Sequence, residues 1–483
     1  MGQKQDTIGF ATELETNIRL LNEHFNASDD VGIRAFHFHG MKGSLLYLIT
    51  VTDKDKLQTD ILKPLLQAKD GRLEGQQEGQ LEDILPILDL ERVTDLPTAA
   101  AGMLQGRCAI LLDGRAELLM ADASSSVVHS IAESKNEQTI RGSHEGFNDD
   151  ASVNAQLIHR RLKNANLTER HFTLGSSSPT RVTLLYMCDL ADMTIVNEII
   201  ANLLTNQAQF IKSPGQILER LESSHFSLFP QMLFSERPDS TAAHLMEGRI
   251  VLLIDGSAFA TILPVTFFMF FQAADDFNVR WWNGTFFRFL RLISVVIGIA
   301  LPSVYIAIVS NHFDILPIDL VFSLKASLEN IPFNPLMEAM FMITVLELLR
   351  EAAIRLPKSI ASTLSIVGGL VIGSEVVNAN LVSTTMIVVI SLTAVASFSV
   401  PSHEMRLAIR LISFPIMIAS ALLGFVGIAF SFSLLFMHLS KLESFGVPYF
   451  YPFMPFKPSR ILTALIQLPK RIFGGKASKR RLS

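Results

Sequence analysis

The distribution of charge along the chain constrains its fold more than any other feature. Over about the first 285 of its 483 residues, charged and apolar side chains are mixed as in soluble proteins. Four later windows contain no charged side chain, at 292–310, 359–374, 376–402 and 411–437. A helix needs about 20 apolar residues to cross a hydrocarbon layer about 30 Å thick. The sequence therefore predicts a soluble region followed by a polytopic helical membrane domain.

The overall composition excludes several classes of protein. Lys and Arg number 41 against 46 Asp and Glu, so no field over the whole chain attracts nucleic acid. The two cysteines, Cys108 and Cys188, lie in apolar strand-like runs and do not indicate a disulfide framework. The polar amino terminus lacks the apolar stretch of a signal peptide, and we expect the soluble region to be cytosolic.

The soluble region contains an internal repeat. The segment 106–114 runs Gly-Arg, five apolar residues and Asp-Gly, and 248–256 repeats this pattern. A Leu-Leu-Tyr element precedes each segment, and the spacing from Tyr47 to Gly106 matches that from Tyr186 to Gly248 within three residues. We expect each copy to run strand, helix, helix, strand, with Asp-Gly in a hairpin turn. The predicted fold class is thus an α+β region of two repeated α/β subdomains before the membrane domain.

Five segments follow from this organisation. They are a first soluble α/β subdomain (1–122), a polar bridge (123–175), a second soluble subdomain with a membrane-proximal segment (176–285), a helical membrane domain of about four to five spans (286–440), and an aromatic then basic tail (441–483). The tail holds eight Lys and Arg from residue 457 onward and no acid. It either contacts an anionic lipid surface or forms a solvated end. We expect residues 401–410 to form a basic inner loop. Either 336–349 or 359–373 is expected to be re-entrant or interfacial.

Motifs for covalent chemistry are missing from the sequence. His403-Glu404 and His144-Glu145 begin like zinc-protease helices, but neither has the second histidine at the fifth position. The chain contains neither a phosphate-binding Gly-Lys-Ser/Thr loop nor a Gly-x-Ser-x-Gly elbow. The strand-like pair His37 and His39 has no third ligand. We therefore expect no enzymatic activity, no cofactor and no metal site.

Charged residues crowd around the last strand of the second repeat. Asp239 is expected to cap a helix at 240–247, which Gly248 ends. Capping does not explain the other charges, which could pair with one another and couple the soluble domain to the membrane domain. The candidate coupling motif comprises Glu236, Arg237, Pro238, Asp239, Glu247, Arg249 and Asp255.

Polar residues within the apolar half are candidates for an ion path. Glu338 and Glu347 are nine residues apart and therefore half a helical turn out of phase, whereas Glu347 and the next charges follow three- and four-residue steps. Ionisable groups at membrane depth usually face a bundle interior or water, although an amphipathic interfacial helix is the alternative. The polar break at 375–380 either lines a cavity or forms a plain turn. The candidate pore or gate residues are Glu338, Glu347, Arg350, Glu351, Arg355, Glu375, Asn378 and Asn380.

A string of motifs resembles the A subunit of GerA-family spore germinant receptors. The motifs occupy 236–239, 247–249, 255–256, 349–357, 366–373, 396–401 and 444–449, and the resemblance covers about residues 30 to 460. Two positions depart from the family pattern. Glu375 stands where a small neutral residue is common, and Ser143 stands where the family has a proline.

The resemblance implies a multi-pass protein of the bacterial endospore inner membrane, with its soluble domain on the cytosolic (core) side. It implies a transporter-like B subunit and a lipoprotein C subunit as partners, together with membrane lipids and further copies of the same chain, and no nucleic acid. Such an A subunit is expected to oligomerise into a nutrient-gated cation channel that starts germination. The alternative is a non-conducting scaffold, or a germination-amplifying paralogue, that clusters receptor subunits.

Overall fold

The computed structural model of the chain describes residues 9–67, 81–125, 132–139, 141–205, 211–329, 331–458, 461 and 466. The chain divides into two compact units. The first contains Met1–Glu222 and Phe234–Pro264, and the second contains Ser223–Leu233 and Val265–Gly475. From Arg460 onward, the basic residues of the predicted tail lie outside the described residues.

The first copy of the repeat builds one antiparallel sheet with helices on both faces. Its elements are α1 (Leu14–His24), β1 (Val31–Phe38), β2 (Met41–Leu48), α2 (Lys54–Lys56), a π-helical segment (Leu57–Leu62), α3 (Lys63–Gln67), α4 (Leu81–Ile84), β3 (Leu90–Val93), α5 (Leu96–Met103), β4 (Arg107–Leu112) and β5 (Leu118–Asp122). The strand order is β1-β2-β4-β5-β3. A two-stranded ribbon of β6 (Ala132–Glu133) and β7 (Glu145–Gly146) follows.

The second copy repeats this topology. Its elements are α6 (Ala151–Arg161), β8 (Leu167–Leu174), β9 (Thr180–Met187), α7 (Met193–Thr205), α8 (Pro214–Leu221), β10 (Leu233–Ser235), α9 (Pro238–Met246), β11 (Ile250–Ile254) and β12 (Ala260–Leu263). The strand order β8-β9-β11-β12-β10 is the order of the first sheet. Because α6 and β8 are the counterparts of α1 and β1, the second copy begins inside the segment that the sequence analysis assigned to a bridge.

The register of the central strands confirms the repeat residue by residue. Leu45 of β2 pairs with Ile110 of β4, and the equivalent Leu184 of β9 pairs with Leu252 of β11. Each copy also contains the expected Asp-Gly turn, with its glycine at positive φ. The copies are more elaborate than the predicted strand, helix, helix, strand unit, since each also has a leading helix, an edge strand and a short helix before the Gly-Arg strand.

The apolar run of β4 has a physical reason. Successive side chains of a strand point to opposite faces of the sheet. Ala109 and Leu111 pack in the cluster with α1 and α5, while Cys108, Ile110 and Leu112 pack in the cluster with the π-helical segment and α3. Both faces of the sheet are covered, so every position from Cys108 to Leu112 is buried. This accounts for a continuous apolar run where a half-exposed strand would alternate.

The second unit is mainly helical. After the 3-10 turns Phe267–Phe271 and Ala274–Asn278, its helices are α10 (Trp281–Asn311), α11 (Ile318–Leu328), α12 (Pro335–Arg355), α13 (Lys358–Asn378), α14 (Thr384–Phe398) and α15 (His403–Lys441). Between α10 and α11 lies the 3-10 turn Phe313–Ile315, and β13 (Glu443–Ser444) pairs with β14 (Val447–Pro448) after α15. Residues 401–410, expected as a loop, include the first two turns of α15.

Two of the described helices, α10 and α15, are long and apolar enough to cross a membrane by length and composition. Their most apolar windows have mean hydropathies of 2.5 and 2.3. The segments expected to supply further spans form α12, α13 and α14, so a span count of four to five stays a prediction. Helix α11 lies between the two segments α10 and α12.

Helix α15 is broken at Gly424, which has φ 59° and ψ −137°. In a straight helix, positions 419 and 427 would be about 12 Å apart along the axis. Instead, a Cβ placed on Gly427 would lie 2.6 Å from the carbonyl carbon of Ala419. The chain therefore turns back at Gly424, and the segment after it returns along the segment before it.

Candidate functional site

The coupling motif begins with the helix α9. Pro238 occupies its first turn, where a missing N–H costs nothing, and Arg237 is the N-cap residue. The helix therefore starts two residues before the predicted position, and Asp239 lies within its first turn rather than at the N-cap. Gly248 follows the helix at φ 85°, as expected of a glycine that ends one.

Arg237 is a fully buried arginine whose guanidinium bonds several groups of the first unit. Its Nε donates to Asp239 Oδ1 at 3.0 Å, and its Nη2 donates to Asp239 Oδ2 at 2.7 Å. Nη1 donates to the Thr139 hydroxyl at 2.9 Å and to the Glu137 carbonyl at 3.3 Å. A pair with two parallel hydrogen bonds fixes the orientation of the guanidinium and also balances its charge. Arg237 thus anchors α9 to the segment 134–139.

Glu236 binds the same segment through its carboxylate. Oε2 accepts the N–H groups of Lys135 and Asn136 at 2.8 and 2.9 Å and the Ser134 hydroxyl at 3.2 Å. Its carbonyl accepts the N–H of Phe147 at 2.8 Å. Of the motif's charges, Arg237 pairs with Asp239, whereas the Glu236 carboxylate accepts backbone N–H groups of the segment 134–139. The expected pairing of Glu247 and Arg249 stays a prediction.

Buried polar groups surround this anchor. Burial raises the pKa of the Glu137 carboxyl to about 7, against a hydrogen bond from the Ser235 hydroxyl at 2.8 Å that lowers it. Burial also lowers the pKa of the Arg249 guanidinium, which donates to the Pro264 carbonyl. Glu247 lies 3.6 Å from the His244 ring. The coupling role of the motif stays a prediction.

In the helical unit, a charge cluster joins three helices. Glu347 of α12 accepts from Arg350 Nη1 at 2.8 Å, and Arg410 Nη1 of α15 donates to its other oxygen at 2.9 Å. The Arg350 guanidinium also lies 4.9 Å from the ring centre of Phe398 in α14. The side chains of all three charged residues are only 19 to 35% exposed. One carboxylate is thus shared by two guanidinium groups.

Glu338 contacts the N-terminus of α14. Its side chain is fully buried, and Oε2 accepts the N–H of Ser383, the N-cap residue of α14, at 2.8 Å. A carboxylate at a helix N-terminus interacts favourably with the unsatisfied N–H groups and the helix dipole. As the half-turn phase predicts, Glu338 and Glu347 contact different groups.

The remaining candidates lie apart from that cluster. Glu351 and Arg355 pair with each other at 2.9 Å, and both side chains are more than half exposed. Glu375 is an exposed residue of α13, Asn378 ends this helix, and Asn380 lies in the following turn at φ 52°. The polar break is thus a helix end followed by a turn to α14.

Sequence reasoning missed two residues that form ion pairs within the helical unit. Arg410 was assigned to a loop, although its four-residue spacing from Arg406 is typical of one helix face. Asp276 is buried and bonds both Nη atoms of Arg291 at 2.7 and 3.0 Å. Arg288 lies 3.3 Å from the same carboxylate. One acid upstream in the sequence therefore pairs with both arginines at the start of α10.

Comparisons with known proteins agree with the pattern of motifs. Residues 19–478 match the family described as Bacillus/Clostridium GerA spore germination protein. The membrane protein YfkQ of Bacillus subtilis (strain 168), described as uncharacterized, is 34% identical over 454 residues, which are 94% of this chain and 88% of that protein. Spore germination protein KA of the same organism is 32% identical, over 97% of this chain and 86% of its own length.

A solved structure also matches part of the chain. It is the N-terminal domain of the A subunit of the Bacillus megaterium spore germinant receptor GerK3, with a TM-score of 0.42 and 22% identity. The alignment covers 55% of this chain and 99% of that one. The match of residues 19–478 and the identity with full-length relatives identify this chain as a member of the GerA spore germination protein family.

Proposed function

We propose that the chain is the A subunit of a nutrient germinant receptor in the endospore inner membrane, where it oligomerises into a nutrient-gated cation channel. A transporter-like B subunit and a lipoprotein C subunit complete the receptor, and the soluble repeats face the spore core. The chain acts by changing conformation rather than by catalysing a covalent reaction. Membership of the GerA family supports a role in spore germination. The charge cluster of the helical unit supports the proposed position of the ion path.

The observation that carries the channel proposal is the sharing of Glu347 between Arg350 and Arg410. Ionisable groups among apolar helices are expensive and usually mark an ion path or a moving element. This cluster links α12 to α15 through a side-chain contact that spans 63 residues of sequence. Two guanidinium groups on one carboxylate leave a net positive charge, which opposes the entry of cations.

In the proposed mechanism this cluster is a gate that is closed in the resting state. Nutrient binding to the receptor favours an arrangement in which Arg410 moves away from Glu347. The carboxylate then contributes to a cation path together with acids of neighbouring copies. A differential affinity of a few kcal/mol between closed and open states is enough to shift their populations.

The experiment measures germinant-triggered potassium release from spores that carry this chain with its receptor partners. Three chains are compared: the native one, Glu347→Gln and the matched control Glu351→Gln. The control removes an acid from the same helix, but its pair with Arg355 is exposed. We expect Glu347→Gln to change the rate of release at least about tenfold, and the control to change it less than about twofold.

Receptor levels in the spore membrane are measured in parallel by immunoblotting. Altered release at normal receptor level supports conduction through this chain. Unaltered release from Glu347→Gln at normal receptor level would assign the cluster to helix packing and would favour a scaffold that clusters other subunits. Reconstituted oligomers that give cation currents in a lipid bilayer, with altered gating in Glu347→Gln, would support the channel directly.

A further inference from the structure

Three buried ionisable residues meet where the two copies of the repeat join. Asp30 precedes β1 of the first copy, whereas His159 in α6 and Glu169 in β8 belong to the second copy. Their relative exposures are 1%, 4% and 1%. None of these residues belongs to the motifs considered above. Their burial requires a physical explanation, since charged groups are rarely buried without partners.

The three side chains present one ligand atom each to a common point. His159 Nε2 lies 3.1 Å from Glu169 Oε2 and 3.9 Å from Asp30 Oδ2, and the three atoms all lie within 4.8 Å of one another. Ligand atoms around a tetrahedral zinc ion are about 3.3 Å apart, given bond lengths of about 2.0 to 2.2 Å. The observed spacing therefore suits a small divalent ion after only slight movement of the side chains.

Two buried atoms of the cluster, Asp30 Oδ2 and His159 Nδ1, have no hydrogen-bond partner among the described residues. Asp30 Oδ1 accepts the N–H of Thr50 at 2.7 Å and also the Thr50 hydroxyl. The other oxygen, Asp30 Oδ2, faces His159 Nε2. An unpaired carboxylate oxygen in a buried site costs about 1 to 3 kcal/mol or more. Its lone pairs are available to a cation.

The charges of the cluster lead to the same conclusion. Two carboxylates face the His159 imidazole, and the His171 ring lies 3.5 Å from the other oxygen of Glu169. A divalent cation would neutralise both carboxylates and accept a lone pair of Nε2. Calcium and magnesium prefer sites made only of oxygen, whereas zinc takes a mixture of imidazole and carboxylate ligands.

Backbone contacts around the cluster hold the ligands in place. Asp29 N donates to the Glu169 carbonyl at 3.0 Å, and Glu169 N donates to the Ser28 hydroxyl at 2.9 Å. These bonds tie β8 to the segment before β1, which fixes Asp30 beside Glu169. The Thr50 hydroxyl lies between the two carboxylates, 3.3 Å from Glu169 Oε2. The ligand set is thus largely formed without an ion.

We propose that Asp30, His159 and Glu169 form a binding site for a zinc-class divalent cation that fastens the two copies of the repeat together. Asp30 supplies a ligand from the first copy, and the other two ligands come from the second. A bound ion would resist separation of the copies because its ligands span 139 positions of sequence. The proposal stands independently of ion conduction by the helical unit.

The test uses the full-length chain in detergent, stripped with a chelator and then titrated with zinc. Bound metal per chain is measured by elemental analysis after desalting, and the thermal midpoint Tm is measured with and without zinc. The variants are Asp30→Asn, His159→Arg and the exposed-histidine control His225→Gln. His159→Arg keeps a positive charge between the carboxylates, so it can fold, yet it offers no ligand to zinc.

We expect about one zinc ion per native chain and a rise in Tm of about 5 °C. His159→Arg and Asp30→Asn are expected to lose at least about tenfold in zinc affinity, while His225→Gln retains it. A native chain that binds no zinc, or a folded His159→Arg chain that binds it as well as the native one, would overturn the proposal. A thiolate charge-transfer band with cobalt would also overturn it, because it would assign the metal to a cysteine.

Discussion

Asp113 and Asp255 occupy the same position in the two copies of the repeat and make the same long-range contact. Asp113 Oδ1 accepts the N–H of Leu14, the first residue of α1, at 3.2 Å. Asp255 Oδ1 accepts the N–H of Ala151, the first residue of α6, at 2.9 Å. Each hairpin turn thus satisfies an orphan donor of the helix that leads its own copy.

Removing either carboxylate is expected to destabilise the copy of the repeat that contains it. Asp255→Ala and Asp113→Ala should each lower the free energy of unfolding by about 1 kcal/mol, as the loss of a helix cap does. Asp189→Ala serves as the control because Asp189 is exposed and its side chain caps no helix among the described residues. Hydrogen exchange of the α1 and α6 amides measures the effect locally. Equal protection in the variants and the native chain would contradict the capping role.

The anchor formed by Arg237 predicts a sharp difference between arginine and lysine. Arg237→Lys keeps the charge but loses the two-pronged bond to Asp239 and the contacts with residues 137 and 139. We expect a loss of about 2 to 3 kcal/mol in stability, measured by thermal unfolding. Arg160→Lys is the control, since 61% of the Arg160 side chain is exposed. Similar losses in both variants would refute the anchor.

Stability should fall with rising pH because of Glu137. Its pKa is raised from 4.5 to about 7 in the folded chain, chiefly by burial. Between these values the folded state binds more protons than the unfolded state, so this contribution is complete below about pH 4.5 and is lost as the pH rises through 7. Glu137→Gln should remove the dependence and add about 1 to 3 kcal/mol at pH 8. Unfolding curves of the native chain and Glu137→Gln at pH 5, 7 and 8 test this. The prediction is disproved if the stability of both chains depends on pH in the same way.

The reversal of α15 at Gly424 predicts that a side chain is not tolerated there. A Cβ at this position would lie 2.9 Å from His312 Cδ2, and the backbone adopts a positive φ. Gly424→Ala should cost about 1 to 3 kcal/mol and reduce the yield of monodisperse protein in detergent. Gly369→Ala is the control, because α13 has open space at that position and alanine favours helix. An unchanged yield for Gly424→Ala would argue against the reversal.

The periodic features of the fold could be predicted from sequence. The repeat is visible because equivalent strands carry equivalent residues. Leu45 and Leu184, for example, pair with residues at equivalent positions of the neighbouring strand. The Asp-Gly turns and the helix end at Gly248 follow from local backbone preference. The leading helix α1 and the edge strands β3 and β10 were missed because short or polar segments give only a weak periodic signal.

The sequence predicted which residues belong to the candidate sites, but it did not predict which of these residues pair with each other. The three-residue step from Glu347 to Arg350 already indicated an ion pair, because neighbours on one helix face are fixed by its geometry. The partner Arg410 lies 63 residues away, and only the packing of α12 against α15 brings it within 2.9 Å. The charges around α9 were expected to pair with one another, yet buried N–H groups of the segment 134–139 compete for Glu236.

The sequence by itself determined the family, the duplicated α/β plan and the apolar character of the second half, because these depend on local composition and period. Tertiary structure alone decided the reversal at Gly424, the sharing of Glu347 and the meeting of Asp30 with His159 and Glu169. Each of these brings together groups distant in the chain. Contacts of that kind follow from how whole elements pack and from which buried polar atoms must be satisfied, and no local pattern encodes them.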